Sequence, residues 1–174
     1  MVFKASYKIT NMIIGITGSN GFLGSYLNEV VLKNGHELEK VSFRINHNNN
    51  ILQIFKYNLK KIEACDVLIN CCAVKNPKNK YDKFINTKLP KLIHSYIKKN
   101  KINCKFVHIS TLNIFYQFLD DDYTNQKRMA EKYLNEKNIL IIRPNLIWDS
   151  KGSGESLIFK KFLLLPLPFY FMIK

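Results

Sequence analysis

The stretch that most constrains this chain is MIIGITGSNGFLGSYL, residues 12–27. A short run of apolar and β-branched residues leads without a break into Thr17, Gly18, Gly21 and Gly24. Phe22, Leu23, Leu27, Val30 and Val31 then recur at helical spacing. A buried strand, a glycine turn and a helix, in that order, are what a dinucleotide-binding loop requires. Gly18 lets the chain turn sharply, Gly21 leaves no Cβ between the backbone and a pyrophosphate, and Gly24 lets the helix lie close to the strand. The unpaired N–H groups and positive end of that helix then face the anion. Three glycines alone also suit an ordinary βα turn; it is the strand before and the helix after them that favour nucleotide binding.

At 174 residues the chain has the length for one domain with a real core. We expect an extension over 1–11, a nucleotide-binding domain over 12–149 and an apolar helical tail over 150–174. The first helix stops at Asn34-Gly35. Residues 36–43 (HELEKVSF) read as the second strand, closing at Arg44, and 46–50 as a polar loop. Residues 51–57 read as a third, short strand and 59–64 as a turn or short helix. The almost continuous apolar run 66–72 (DVLINCC) suits a strand covered on both faces. Residues 73–80 form a loop. Over 81–100 the apolar positions keep helical spacing with Pro90 inside the pattern, which predicts a bend or a late helix start. A strand over 105–110, a helix over 122–137 and a strand over 138–142, ending at Arg143-Pro144, complete the pattern. Strands alternating with helices predict an α/β fold, a Rossmann-like doubly wound parallel sheet with helices on both faces. Ligands of such sheets sit beyond the carboxyl ends of the strands. That edge would gather the glycine turn, Arg44, Ala73 and Val74, Ser110 and Thr111, and residues 143–145. Beyond it we expect a flexible link over 151–155, a basic-apolar helix over 156–165 and a tail broken by Pro166 and Pro168.

The net charge of +14 raises nucleic acid or an anionic membrane as a partner. The bias is compositional instead: 24 Lys stand beside only 3 Arg, with 20 Asn and 21 Ile, the usage of an AT-rich genome. The lysines are dispersed, and Arg, the better phosphate reader, is scarce, so no nucleic-acid partner is expected. The four cysteines lack paired CxxC spacing, and the adjacent Cys71 and Cys72 point to opposite faces of a strand. They read as small buried hydrophobes in a reducing compartment, with no metal site. No run of 18 apolar residues predicts a membrane span, and 1–11 lacks the apolar core of a signal peptide, so the expected location is cytoplasmic.

Tyr123 and Lys127 are four apart on a predicted helix and share one face. An ammonium beside a phenol favours the phenolate and lowers a pKa that starts near about 10, making the tyrosine a usable general acid or base. Ser110 and Thr111 follow a buried strand, where a hydroxyl either donates to a substrate oxygen or caps the next turn.

Taken together these segments resemble a known family. TGSNGFLGSYL resembles the TGxxGFxG signature of the extended short-chain dehydrogenases, the NAD(P)-dependent epimerase/dehydratase group that acts mainly on nucleotide sugars. DVLINCCAV resembles the strand that ends in small residues beside the cofactor, with Ala73 at the usual alanine, and FINTKLPKLIHSYIKK resembles the helix carrying an asparagine, here Asn86. KFVHISTLNIF resembles the strand with the catalytic hydroxyl, Thr111 matching it and Ser110 its neighbour. YTNQKRMAEKYL resembles the catalytic Tyr-x-x-x-Lys helix, and ILIIRPNLIW the strand ending in Arg-Pro.

The resemblance covers about residues 12–149. It implies that Tyr123 moves the proton, that Lys127 binds the nicotinamide ribose and holds the tyrosine pKa down, and that Thr111, with Ser110 beside it, steadies the reacting oxygen. It also implies a cofactor held by Gly18, Asn20, Gly21, Phe22, Leu23, Gly24, Arg44, Cys72, Ala73, Asn86, Lys127 and Arg143. At the end of the second strand an acid would suit the ribose 2′-hydroxyl of NAD, and an arginine the 2′-phosphate of NADP. Ser42, Phe43 and Arg44 stand there and Glu39 lies too early, so NADP is favoured over NAD. The implied function is an NAD(P)-dependent oxidoreductase or epimerase acting on a nucleotide-activated sugar. Dehydration fits least, because Leu112 and Asn113 follow Thr111 where an acidic pair would stand. The chain departs from the family in a short loop between Phe115 and Tyr123, in Asp149 at a usual glycine, and in an apparent lack of the C-terminal substrate region. The alternative is therefore a non-catalytic NAD(P)-binding or assembly module, with homodimer formation or association through the apolar C-terminal tail.

Overall fold

The computed structural model describes residues 11–44, 51–136, 139–145 and 147. Its strands β1 (Ile13–Thr17), β2 (Glu37–Val41), β3 (Val67–Asn70), β4 (Lys105–Ile109) and β5 (Ile139–Ile142) form one parallel sheet in the order β2-β1-β3-β4-β5. Between them run α1 (Phe22–Lys33), α2 (Ile51–Lys61), α3 (Lys80–Lys99) and α4 (Asp122–Tyr133). This is the predicted Rossmann-like α/β architecture.

The strand order follows from how the chain doubles back. From β1 it steps outward to β2, then returns past β1 to lay down β3, β4 and β5 on the other side. Right-handed crossovers then place α1 on one face of the sheet and the remaining helices on the other. Two apolar clusters match that division. Ile14 and Ile16 pack with Val31 and Leu27 of α1, while Leu68 and Phe106 pack with Ile85, Leu89 and Ile93 of α3 and with Leu134 at the end of α4. The order reverses between β1 and β3, so the crevice beyond their carboxyl ends is where a sheet of this kind holds a ligand.

Residues 51–64 correct the sequence expectation. In place of a short strand over 51–57 they form α2, which runs on into the turn or short helix expected over 59–64 and ends in one 3₁₀ turn, Ile62–Ala64. Phe55, Leu59 and Ile62 all join the larger cluster at helical spacing, a period that a short apolar window does not separate from a strand. Asn58 is part of the helix: its Nδ2 donates to the Ile54 carbonyl at 2.9 Å and its Oδ1 accepts from the Ser42 N–H at 2.9 Å. Nor does Pro90 delay α3, which starts at Lys80 behind an Asn79 side chain that accepts from the Asp82 N–H at 2.9 Å and runs on past the proline. The helix expected over 122–137 ends earlier, at Tyr133.

The chain divides into two compact units, Met1–Pro144 and Asn145–Lys174. The sheet belongs to the first; of the second, Asn145 and Ile147 are described. The expected loop over 46–50, link over 151–155, helix over 156–165 and apolar tail lie outside the described residues. Among the described residues no helix is long and apolar enough to cross a membrane, and no cluster of three or more His, Cys, Asp or Glu is placed to hold a metal ion.

Candidate functional site

The carboxyl ends of β1, β2 and β3 open into a cavity of about 590 Å³, lined by residues 18–21, 42–44 and 71–74 and by the start of α3. Gly18 turns the chain with φ +68° and lies against the next loop: a Cβ built on it would stand 2.9 Å from both the N and the Cα of Cys72. A Cβ on Gly24 would stand 2.2 Å from the Gly18 carbonyl oxygen, so the first turn of α1 rests directly on the loop. Gly21 caps α1 in an extended conformation, and the first turn carries no acidic residue. An uncovered helix N-terminus without a carboxylate beside it is a favourable place for an anion. Gly18, Asn20 and Gly21 line the cavity, whereas Phe22 and Leu23 open the helix and Gly24 is buried behind the loop. The cradle fits a pyrophosphate.

On one rim, Ser42, Phe43 and Arg44 line the cavity at the end of β2, with Arg44 exposed. Their backbone is steadied from α2 through Asn58. Glu39 is held elsewhere, its carboxylate 2.7 Å from Lys61 Nζ.

The opposite rim is built from the inside. The Cys72 N–H donates to Thr17 Oγ1 at 3.2 Å, the Thr17 hydroxyl donates to Asn70 Oδ1 at 2.5 Å, and Asn70 Nδ2 donates to His108 Nδ1 at 2.9 Å. The three side chains are fully buried and lie directly opposite one another on β1, β3 and β4. With Nδ1 accepting, the imidazole carries its proton on Nε2. Burial and the neighbouring Lys127 ammonium hold its pKa well below the usual histidine value, so His108 stays neutral. Sequence reasoning missed this line of residues. The signal was there: single polar residues inside the apolar runs DVLINCC and KFVHIS must find partners when buried.

Asn86 is placed by α3 behind the lining, not in it. Its Oδ1 accepts from the Val74 N–H at 2.8 Å, and its Nδ2 donates to the Val74 carbonyl and to Gln126 Oε1, both at 2.7 Å.

Residues 14–138, more than half of the chain, match the sequence profile of the NAD dependent epimerase/dehydratase family. The chain belongs to this family. Among solved structures, the fold is similar to that of dTDP-4-dehydrorhamnose reductase from Bacillus anthracis in complex with NADP, with a TM-score of 0.69 and 16% identity over 91% of this chain and 61% of that one. It is also similar to the Bordetella bronchiseptica enzyme WbmH in complex with NAD+, with a TM-score of 0.69 and 18% identity over 88% of this chain and 63% of that one. The L780 UDP-rhamnose synthase of Acanthamoeba polyphaga mimivirus gives a TM-score of 0.58 and 14% identity over 78% of this chain and 56% of that one. The chain thus spans 56% to 63% of the length of these three structures. At such identities the likeness is one of fold. No match is found among curated protein sequences.

In this epimerase/dehydratase domain α4 carries the Tyr-x-x-x-Lys pair alongside the end of β4. Lys127 is 2% exposed, and its Nζ donates to the Ile109 carbonyl at 2.8 Å and lies 5.8 Å from the centroid of the Tyr123 ring. Burial pulls its pKa down to about 8. Tyr123 goes the other way: burial, then the Asp121 carboxylate, raise the phenol above its usual value. The lowering expected from Lys127 is not met here, because desolvation of the half-buried phenol is the larger effect and Asp121 adds to it. Thr111 Oγ1 accepts from the Asn113 N–H at 3.3 Å, capping the 3₁₀ turn Leu112–Phe115. Ser110 is buried, and its Oγ has no hydrogen-bond partner among the described residues. Thr111, Tyr123 and Lys127 thus gather at the end of β4, one strand along from the cavity lining, and none of them lines the cavity itself. Arg143 is also away from it, paired with Glu131 at 2.7 Å and lying 5.3 Å from the Phe115 ring centroid. Arg128, unremarked in the sequence, organises the short loop before Tyr123 by donating to the carbonyls of Ile114, Tyr116 and Leu119 and to Asn125 Oδ1. Burial raises both Cys71, to about 12, and Cys72, so neither thiol is a nucleophile at neutral pH.

Proposed function

We propose that this domain binds a nicotinamide dinucleotide, NADP in preference to NAD, and works as an oxidoreductase or epimerase on a nucleotide-activated sugar. The observation that carries the reading is the glycine turn of β1 and α1, packed against Cys72 and opening onto the cavity. Gly18, Asn20 and Gly21, with the N–H groups that open α1, would hold the pyrophosphate, Arg44 a 2′-phosphate, and Cys72 and Ala73 the side facing β4. Solved structures of similar fold in complex with NADP and with NAD+ support the cofactor class, and the UDP-rhamnose synthase supports the substrate class.

When bound, the dinucleotide supplies hydride exchange. The chain itself manages the proton and the geometry. Tyr123 keeps its proton at neutral pH, so it enters as the acid that protonates a sugar carbonyl oxygen, with the Thr111 hydroxyl donating to the same atom. Lys127 has three N–H donors, of which the Ile109 carbonyl takes one, leaving two for ribose hydroxyls.

Two variants test this. Tyr123→Phe is expected to lower NADPH oxidation against a panel of keto nucleotide sugars by about 100-fold or more, with NADPH affinity nearly unchanged; equal turnover in both proteins removes the catalytic assignment. Arg44→Asp is expected to weaken NADPH binding by about 10-fold or more while sparing NADH. An unchanged NADPH-to-NADH affinity ratio in fluorescence titrations removes Arg44 as the source of the preference.

A further inference from the structure

We propose that Gln126 is a positioning residue, tying the helix that carries Tyr123 and Lys127 to the backbone at the cofactor cavity. This rests on the reading of that cavity as a dinucleotide site. Gln126 stands between the two reactive residues in sequence, yet it is 6% exposed and turns inward to α3. Its Oε1 accepts from Asn86 Nδ2 at 2.7 Å, and Asn86 in turn grips Val74 from both sides, accepting from its N–H at 2.8 Å and donating to its carbonyl at 2.7 Å. Val74 lines the cavity, and Asn86 is fully buried. One path of three side-chain hydrogen bonds therefore runs from α4 through α3 to the loop after β3.

The chemistry of an amide makes this path directional. Asn86 meets Val74 with an acceptor facing the N–H and a donor facing the carbonyl. Rotated by half a turn, it would set oxygen against oxygen and nitrogen against nitrogen. The Val74 pair alone fixes which way round the amide sits, and the Gln126 oxygen takes the second Nδ2 hydrogen. Without that oxygen a buried donor is left unpaired, a state proteins avoid because its hydration is lost with nothing in return. The amide then drifts to find a partner, and Val74 drifts with it. Because coupling is reciprocal, a ligand that orders Val74 also steadies α4.

The test uses Gln126→Met, which keeps the shape and removes the acceptor, and Gln126→Glu, which keeps an acceptor oxygen. Both are compared with the wild-type chain at a temperature where circular dichroism shows all three folded. In Gln126→Met the Val74 amide is expected to exchange its hydrogen about 10-fold faster and NADPH to bind about 5-fold more weakly, whereas Gln126→Glu stays within about 2-fold of wild type in both. A helix-packing role alone would lower the melting temperature without moving NADPH affinity and would not be rescued by glutamate. Unchanged Val74 exchange in Gln126→Met, or equal losses in both variants, overturns the proposal. Should the methionine variant fail to fold, the wild-type Val74 amide decides, since rapid exchange there contradicts the grip itself. A wild-type chain that does not bind NADPH defeats the cofactor reading, while Val74 exchange still judges the tie.

Discussion

Replacing Lys127 by methionine is expected to raise the melting temperature at pH 7 while abolishing cofactor-dependent turnover. The ammonium sits almost fully buried with one described hydrogen bond, to the Ile109 carbonyl, and its pKa falls from 10.5 to about 8. A difference of that size amounts to roughly 3 kcal/mol against the folded state at pH 7. Losing the Ile109 hydrogen bond returns about 1 kcal/mol, so a net gain near about 2 kcal/mol, or about 5 °C, is expected. The pH dependence follows from which state holds the proton. Unfolded, the amine stays protonated up to its ordinary value; folded, it lets go at about 8. Through that window the unfolded chain binds more protons, so wild-type stability rises with pH. The advantage of the methionine variant is therefore full below about pH 8 and fades as pH climbs toward 10.5. Thermal melts of both proteins across this range check it. A variant less stable than wild type at pH 7 would mean that the buried ammonium contributes to the fold. A buried charge that costs stability is retained where function needs it, the trade that the role proposed for Lys127 implies.

Gly24→Ala is expected to act in the opposite sense to the usual rule. Inside a helix, alanine in place of glycine normally stabilises by about 1 kcal/mol. Here the new methyl would stand 2.2 Å from the Gly18 carbonyl oxygen, 2.8 Å from its carbon and 2.9 Å from the Ser19 Cα. All three are backbone atoms, with no flexible side chain to swing aside. Helix and turn must separate, at a cost of about 3 kcal/mol, and the N–H groups move off the cradle they complete. We expect loss of NADPH binding together with a lower denaturation midpoint. A variant as stable as wild type would show that α1 can shift on its strand without strain.

Much of this was legible in the residues. β1, β3, β4 and β5 could be placed because their runs are nearly continuous in apolar residues, and α1 and α3 because their apolar positions keep a helical period. The glycine turn announced itself because close backbone approach tolerates no other residue. What stayed hidden depends on partners distant in sequence. Nothing local to Asn86 says that its amide faces Val74 and Gln126 rather than a ligand. Nothing near Arg143 in the sequence says that Glu131 pairs with it, and nothing near Tyr123 says that burial and Asp121 together push its phenol up. Helix α2 stayed hidden because seven residues with apolar positions suit a short strand as well as a helix, and Asn58 shows its place in the helix only through Ile54 and Ser42.

The Thr17–Asn70–His108 line has a consequence for the entropy of binding. It runs at right angles to the strands, where sheets are otherwise joined by main-chain bonds alone, and it locks three neighbouring strands sideways by their interiors. Its last link is the Cys72 N–H, on the wall against which Gly18 rests. The cradle, the Cys72 wall and the end of β4 are therefore tied to one another before a ligand arrives. A site tied in this way gives up less conformational freedom on association than loops that must first be ordered, so more of the contact energy remains as affinity.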